Sequence, residues 1–250
     1  MNRLIKIIMA VLFVSLLSSP AAFAKSDNAK ESLVAVGDSI PFGYNLGQTN
    51  QNPAKTSYPY VIGKLSDLRV RNLGVSGRQS GQLLTALQTN QKYRQAIIHS
   101  DYVAVTIGSN DFLGILRAAD AESREKQVPF EVILAGMLKV NSPVIFNNIT
   151  QTIKEVRLLT DSPIVLYNVY NPFQTYDPFL LYGVAETYLP GINTVFENLA
   201  STYPDVYLAD AYSAFRDNED EEYVLPGDIH PTEAGQAKLA EIGLDALKLD

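Results

Sequence analysis

Ser39 is the residue whose surroundings in this 250-residue chain point most directly to chemistry. It follows Gly37-Asp38 at the end of a short apolar run, Leu33 to Val36, and precedes Ile40-Pro41-Phe42. Taken alone, Asp38 and Ser39 serve equally well as helix caps. A serine hydroxyl becomes a useful nucleophile only when a base removes its proton, so the histidines decide between the readings. The chain has two. His99 falls just before an apolar run, at the amino end of a strand. His230 lies in Gly227-Asp228-Ile229-His230-Pro231-Thr232, and Asp228 is close enough in sequence to orient its ring and stabilise the charged imidazolium.

An acyl transfer also needs donors aimed at the oxygen that becomes negative. The Ser39 N–H, the N–H of Gly77 and the side-chain amide of Asn110 could supply them without adding charge. Gly77 or Asn110 in isolation would be an ordinary turn residue. Their occurrence after successive strands is what gives them weight. Other chemistries lack their residues. With no cysteine there is no disulfide, thiol nucleophile or thiolate metal site. There is no phosphate loop, no His-Glu-x-x-His pattern and no Gly-x-Ser-x-Gly elbow. The acidic run Asp217 to Glu222 lacks the alternating spacing of a calcium loop and reads as solvated surface. No metal and no cofactor is expected.

These residues need elements to hold them. Leu33–Val36, Leu68–Leu73, Tyr102–Ile107, Ile164–Val169 and Val206–Ala209 read as five strands. Helical spacing covers Tyr58–Leu65, Gln79–Leu87, Phe130–Leu138, Val144–Leu159, Ile192–Tyr203 and a final stretch from about Pro231 to Leu247. Alternating strands and helices imply a three-layer α/β/α sandwich on a mostly parallel five-stranded sheet. Three strands end in turns, Gly37-Asp38-Ser39, Gly74 to Gly77 and Gly108 to Asp111. In such sheets ligands bind outside the carboxyl ends of the strands, so the three turns should meet at one edge. Residues 112–142 are longer than an ordinary connection and read as a helical insertion or lid. Together with the aromatic segment from Phe173 to Tyr188, the apolar part of that insertion could line an acyl pocket.

In combination these blocks resemble the GDSL or SGNH hydrolases, serine esterases and lipases on a flavodoxin-like sheet. The resemblance runs from Leu33 to about Ile242. Gly37-Asp38-Ser39-Ile40 is similar to the family's nucleophile block, Asn72 to Gly77 to the second, Gly108-Ser109-Asn110-Asp111 to the third and Asp228-Ile229-His230-Pro231 to the last. It implies Ser39 as nucleophile, His230 as base, and an oxyanion hole from Ser39, Gly77 and Asn110. One position departs from the pattern. The family's acid usually stands three residues before the histidine, where this chain has Gly227, and the nearby acid is Asp228, two before. Either Asp228 orients His230 through an altered turn, or a backbone carbonyl does so and the site is a Ser-His dyad.

The amino terminus carries Arg3 and Lys6, an apolar run from Ile7 to Leu17 and the small-x-small sequence Ala22-Phe23-Ala24, the order of a secretory signal peptide. Cleavage after Ala24 would leave one domain, residues 25–250, in a secreted product. Its loss removes two positive charges and takes the net charge from −7 to −9. That balance argues against nucleic acid as a partner, and no stretch beyond the leader is expected to span a membrane. The expected activity is hydrolysis of small-molecule or lipid carboxylic esters. A polysaccharide or cell-wall O-acetyl esterase is the alternative enzyme, and a catalytically idle binding domain is the alternative outside catalysis.

Overall fold

The computed structural model describes residues 29–47, 49–176, 179–216 and 222–249. The expected signal peptide and all of the acidic run except Glu222 lie outside the described residues.

Five strands, β1 (Ser32–Gly37), β2 (Arg69–Gly74), β3 (Tyr102–Thr106), β4 (Ile164–Tyr167) and β5 (Val206–Ala209), form a sheet in the order β2-β1-β3-β4-β5. All four pairings are parallel. Side chains alternate between its faces and create two cores. On one side Val34, Val36, Val103, Val105, Ile164 and Leu166 pack together. On the other lie Leu33, Ala35, Ala104, Val165 and Tyr167. Such two-sided burial requires the near-continuous apolar strands seen in β1, β3 and β4.

The first core is covered by α3 (Ser80–Thr89), α4 (Gln91–Ile98), α5 (Ser109–Lys126), α6 (Phe130–Arg157) and α7 (Leu181–Thr202). The second is covered by α2 (Tyr58–Leu65), α8 (Ala211–Arg216) and α9 (Glu233–Leu247), with Ile40 from α1 (Ser39–Phe42). The three layers and the parallel five-stranded sheet are those expected from the sequence.

The connections differ more. Residues 112–142 form most of α5 and the first part of α6, and α6 runs unbroken through Pro143 to absorb the helix expected at Val144–Leu159. Proline ordinarily ends a helix by clashing with and unpairing the preceding turn. Here Pro143 sits on an exposed stretch, where water can serve the carbonyl left without an N–H. Likewise α7 begins eleven residues before the expected Ile192, passes through Pro190 and takes in part of the aromatic segment. By length and composition alone α6 is also apolar enough to cross a bilayer, with a mean hydropathy of 1.3, contrary to the expectation that no stretch beyond the leader is. Its carboxyl half nevertheless packs Ile145, Ile149, Ile153 and Val156 into the first core.

Gly37 marks where the sheet hands over to the site. A Cβ there would lie 2.0 Å from the Thr106 carbonyl oxygen, so only glycine lets β1 finish this close to β3. The next residue, Asp38, donates its N–H to the same oxygen at 3.2 Å.

Candidate active site

The strand register brings the three turns to one edge. Gly37 pairs with Gly74 on one side and Thr106 on the other, so Ser39, Gly77 and Asn110 follow within four residues of three aligned strand ends. The chain reverses its direction of travel across the sheet between β1 and β3, and open α/β sheets bind ligands at that kind of switch point.

Ser39 is the first residue of α1 and is 4% exposed. The fully buried Asp38 carboxylate caps the helix, accepting the Ile40 N–H at 2.9 Å. Burial, against the pull of the Ile40 bond and with help from the charge of Asp111, pushes this carboxyl up to about 7. The base of α1 is fixed from two sides. Asn72 donates to the Pro41 carbonyl at 2.5 Å. The buried Gln236 of α9 donates to the Ile40 carbonyl at 3.0 Å and accepts the Tyr58 N–H at 2.8 Å. Through Gln236, α1 is held by the helix that follows His230.

His230 is 9% exposed and stands in a tight turn before α9. Leu225 donates its N–H to the His230 carbonyl at 2.9 Å, Asp228 donates to the Leu225 carbonyl at 3.0 Å, and Val224 bridges to Pro231. This turn carries the Asp228 carboxylate back to the ring, with Oδ1 2.7 Å from His230 Nδ1. Of the two sequence alternatives the geometry is that of the altered turn. Burial pushes the Asp228 carboxyl up, but bonds from Asn45, the Ile229 N–H and His230 outweigh it and hold its pKa below the ordinary value. An ionised carboxylate only accepts, so Nδ1 carries a proton toward it. Tyr44 packs on the imidazole at a centroid distance of 4.9 Å, and Tyr170 donates to the Ile229 carbonyl at 2.7 Å.

Asn110 opens α5, and its amide donates one hydrogen to the Arg78 carbonyl at 3.1 Å. That bond joins it to the loop containing Gly77, which adopts φ of +75°. Asp111 fixes the same loop from behind, accepting the Ser80 N–H and hydroxyl, each at 2.8 Å. His99 lies at the opposite end of the sheet, where its carbonyl accepts the Ser32 hydroxyl at 3.2 Å.

A cleft opens beside Ser39. Ser39 and Asn110 both line it, whereas Gly77 is not part of the cleft wall. The walls are almost wholly apolar: Leu113 and Leu116 from α5, Leu134 and Leu138 from α6, and Val184 and Leu189 from α7. Phe173 and Tyr188 of the aromatic segment contribute, as the sequence suggested. Ile229, the neighbour of His230, also lines the cleft. Tyr44, Asn45, Tyr170 and Gln236 were not foreseeable as site residues. Each acts through a contact with a segment far away in sequence, and nothing in its own neighbourhood marks it.

Residues 35–238 match the GDSL-like Lipase/Acylhydrolase family. A curated relative, the uncharacterized protein YpmR of Bacillus subtilis (strain 168), is 28% identical in an alignment of 191 positions that covers 69% of this chain. The match spans 65% of that relative's length. Among solved structures, the lipase Lip_vut3 from a goat rumen metagenome superimposes with a TM-score of 0.66 at 21% identity, covering 88% of this chain and 98% of that one. Phospholipase A1 from Streptomyces albidoflavus NA297 does so with a TM-score of 0.66 at 16% identity, over 87% of this chain and 100% of that one.

Proposed function

We propose that this chain, which belongs to the GDSL-like lipase/acylhydrolase family, is a serine hydrolase of carboxylic esters with apolar acyl groups. The observation that carries the reading is the meeting of three features. Ser39 and Asn110 share a cleft whose other walls are almost wholly apolar, Ile229 in that lining adjoins His230, and Asp228 Oδ1 lies 2.7 Å from His230 Nδ1.

In this mechanism Ser39 Oγ attacks the ester carbonyl carbon while His230 Nε2 takes the hydroxyl proton, and Asp228 stabilises the imidazolium. The carbonyl oxygen, now negative, is held by the Ser39 and Gly77 N–H groups and the second amide hydrogen of Asn110. Collapse breaks the bond to the leaving oxygen, which receives the proton from His230 and departs as the alcohol. Water then attacks the acyl-Ser39 ester, giving one proton to His230, which passes it to Ser39 Oγ as the acyl–serine bond breaks, and the carboxylic acid leaves and ionises in water. The acyl chain lies along the cleft between α5, α6 and α7. The first 24 residues, read as a signal peptide, support a secreted enzyme.

The cleft favours this over an O-acetyl esterase, because an acetyl group would leave most of its apolar wall unused. Each CH₂ buried is worth up to about 0.8 kcal/mol, or about fourfold in kcat/KM. The test is a series of p-nitrophenyl esters from acetate to laurate, with Ser39→Ala as control. The expected result is a kcat/KM that climbs from acetate through the medium chains. A maximum at acetate supports the deacetylase, and wild-type rates equal to Ser39→Ala on every ester support the idle domain.

A further inference from the structure

We infer that Asn45 is a positioning residue for the acid of the site, a clamp that the two-residue spacing between Asp228 and His230 makes necessary. The inference rests on the Ser39–His230–Asp228 reading of the site. A carboxylate turns easily about its last torsion, whose energy profile is broad and two-fold. One oxygen, Oδ1, accepts both the Ile229 N–H at 2.6 Å and His230 Nδ1 at 2.7 Å. These two contacts come from the adjacent residue and the next, so both pull on the same atom and leave the carboxylate plane weakly determined. The other oxygen, Oδ2, accepts Asn45 Nδ2 at 2.6 Å from a segment 183 residues earlier. Pinning both oxygens fixes the plane, and with it the tautomer and tilt of the imidazole.

Asn45 is itself prepared for the task. It adopts φ of +66°, a left-handed conformation that Asn tolerates better than most residues. Asn50 then holds it by two bonds, accepting the Asn45 N–H at 2.9 Å and donating Nδ2 to Asn45 Oδ1 at 2.9 Å. With its oxygen occupied in this way, the amide can present only its NH₂ to Asp228, which removes the flipped arrangement that would set two oxygens against each other. The segment also begins three residues after α1, so the part of the chain that carries the nucleophile clamps the acid. The other titratable groups around the pair are Tyr44 against the ring and Tyr170 on the Ile229 carbonyl, with Asp38 beyond Tyr170. None of these touches Oδ2.

The test is a double-mutant cycle of Asn45→Ala and Asp228→Ala, read as kcat and KM on a short-chain ester, with circular dichroism to confirm folding. Asn45→Ala should lower kcat about tenfold with KM unchanged, the loss expected for one hydrogen bond to a charged group. In the Asp228→Ala background it should have no further effect. Asn50→Ala should reproduce part of the loss. An equal drop in both backgrounds means that Asn45 only supports its loop and overturns the inference, as does an unchanged kcat in Asn45→Ala or full activity in Asp228→Ala. A second readout needs no turnover. The downfield proton resonance of His230 Nδ1–H should be present in wild type and Ser39→Ala and lost in Asn45→Ala and Asp228→Ala. Its persistence in Asn45→Ala contradicts the clamp. Its loss in Asn45→Ala, from a protein that hydrolyses no ester, supports the clamp while removing the hydrolase reading.

Discussion

Asp38 should make the protein less stable as the pH rises from mildly acidic to neutral, and Asp38→Asn should remove that dependence. The side chain is fully buried; Oδ1 accepts one N–H, and among the described residues Oδ2 has no hydrogen-bond partner. Desolvation therefore dominates and raises its pKa from 3.8 to about 7. The sign follows from proton counting. Between these values the unfolded chain has released the proton that the folded chain keeps, so increasing pH favours unfolding. At about 1.4 kcal/mol per pH unit the whole effect is about 4 kcal/mol, with about 2–3 kcal/mol of it between about pH 5 and pH 8. Asparagine keeps the bond to Ile40 through its own oxygen, and whatever its NH₂ costs in the Oδ2 position is the same at every pH. Urea unfolding of both proteins from pH 5 to 8 isolates the effect, provided the m-values agree. The stability of Asp38→Asn relative to wild type should climb across this range and level off above about pH 7. A difference constant to within about 0.5 kcal/mol would mean that Asp38 is ionised throughout and would refute the reasoning.

Asn193 is buried and its amide completes both hydrogen bonds of Val169, accepting from its N–H at 3.0 Å and donating to its carbonyl at 2.9 Å. Asn193→Ala strands both backbone groups and should cost about 2–4 kcal/mol in chemical denaturation, whereas a loss below about 0.5 kcal/mol means that water or a shifted chain replaces them. Leu138→Trp narrows the cleft between α5 and α7, and should lower kcat/KM for a laurate ester about tenfold or more while changing that for acetate by less than about twofold. Equal losses on both esters would place the acyl chain elsewhere.

How much of the molecule was legible in the sequence depended on how local each cause was. Ser39, Asn110 and His230 could be found because each stands in a polar turn next to a strongly apolar strand or an amphipathic helix, and a parallel sheet gathers such turns at one edge. The continuity of α6 and α7 could not, since Pro143 and Pro190 are ordinary stop signals and are tolerated here by their positions in long helices. The helix α4 was missed between two turn-like sequences, although Asn90 caps it by accepting the Lys92 N–H at 2.9 Å. Asp228 was found but its geometry was not, because the outcome depends on the hairpin from Tyr223 to Thr232 and on Asn45. Long-range hydrogen bonds of this kind leave no periodic trace. The apolar cleft lay between these cases, with its two contributing segments visible as apolar and aromatic stretches and their convergence visible only in the fold.

The central claim, that Ser39 is a nucleophile activated by His230, is tested most directly by a fluorophosphonate probe followed by mass spectrometry of the labelled peptide. The wild-type protein should acquire one phosphonyl group, on Ser39, and Ser39→Ala and His230→Ala should acquire none at the same exposure. A folded wild-type protein that resists the probe, or one that is labelled at another residue, would contradict the account.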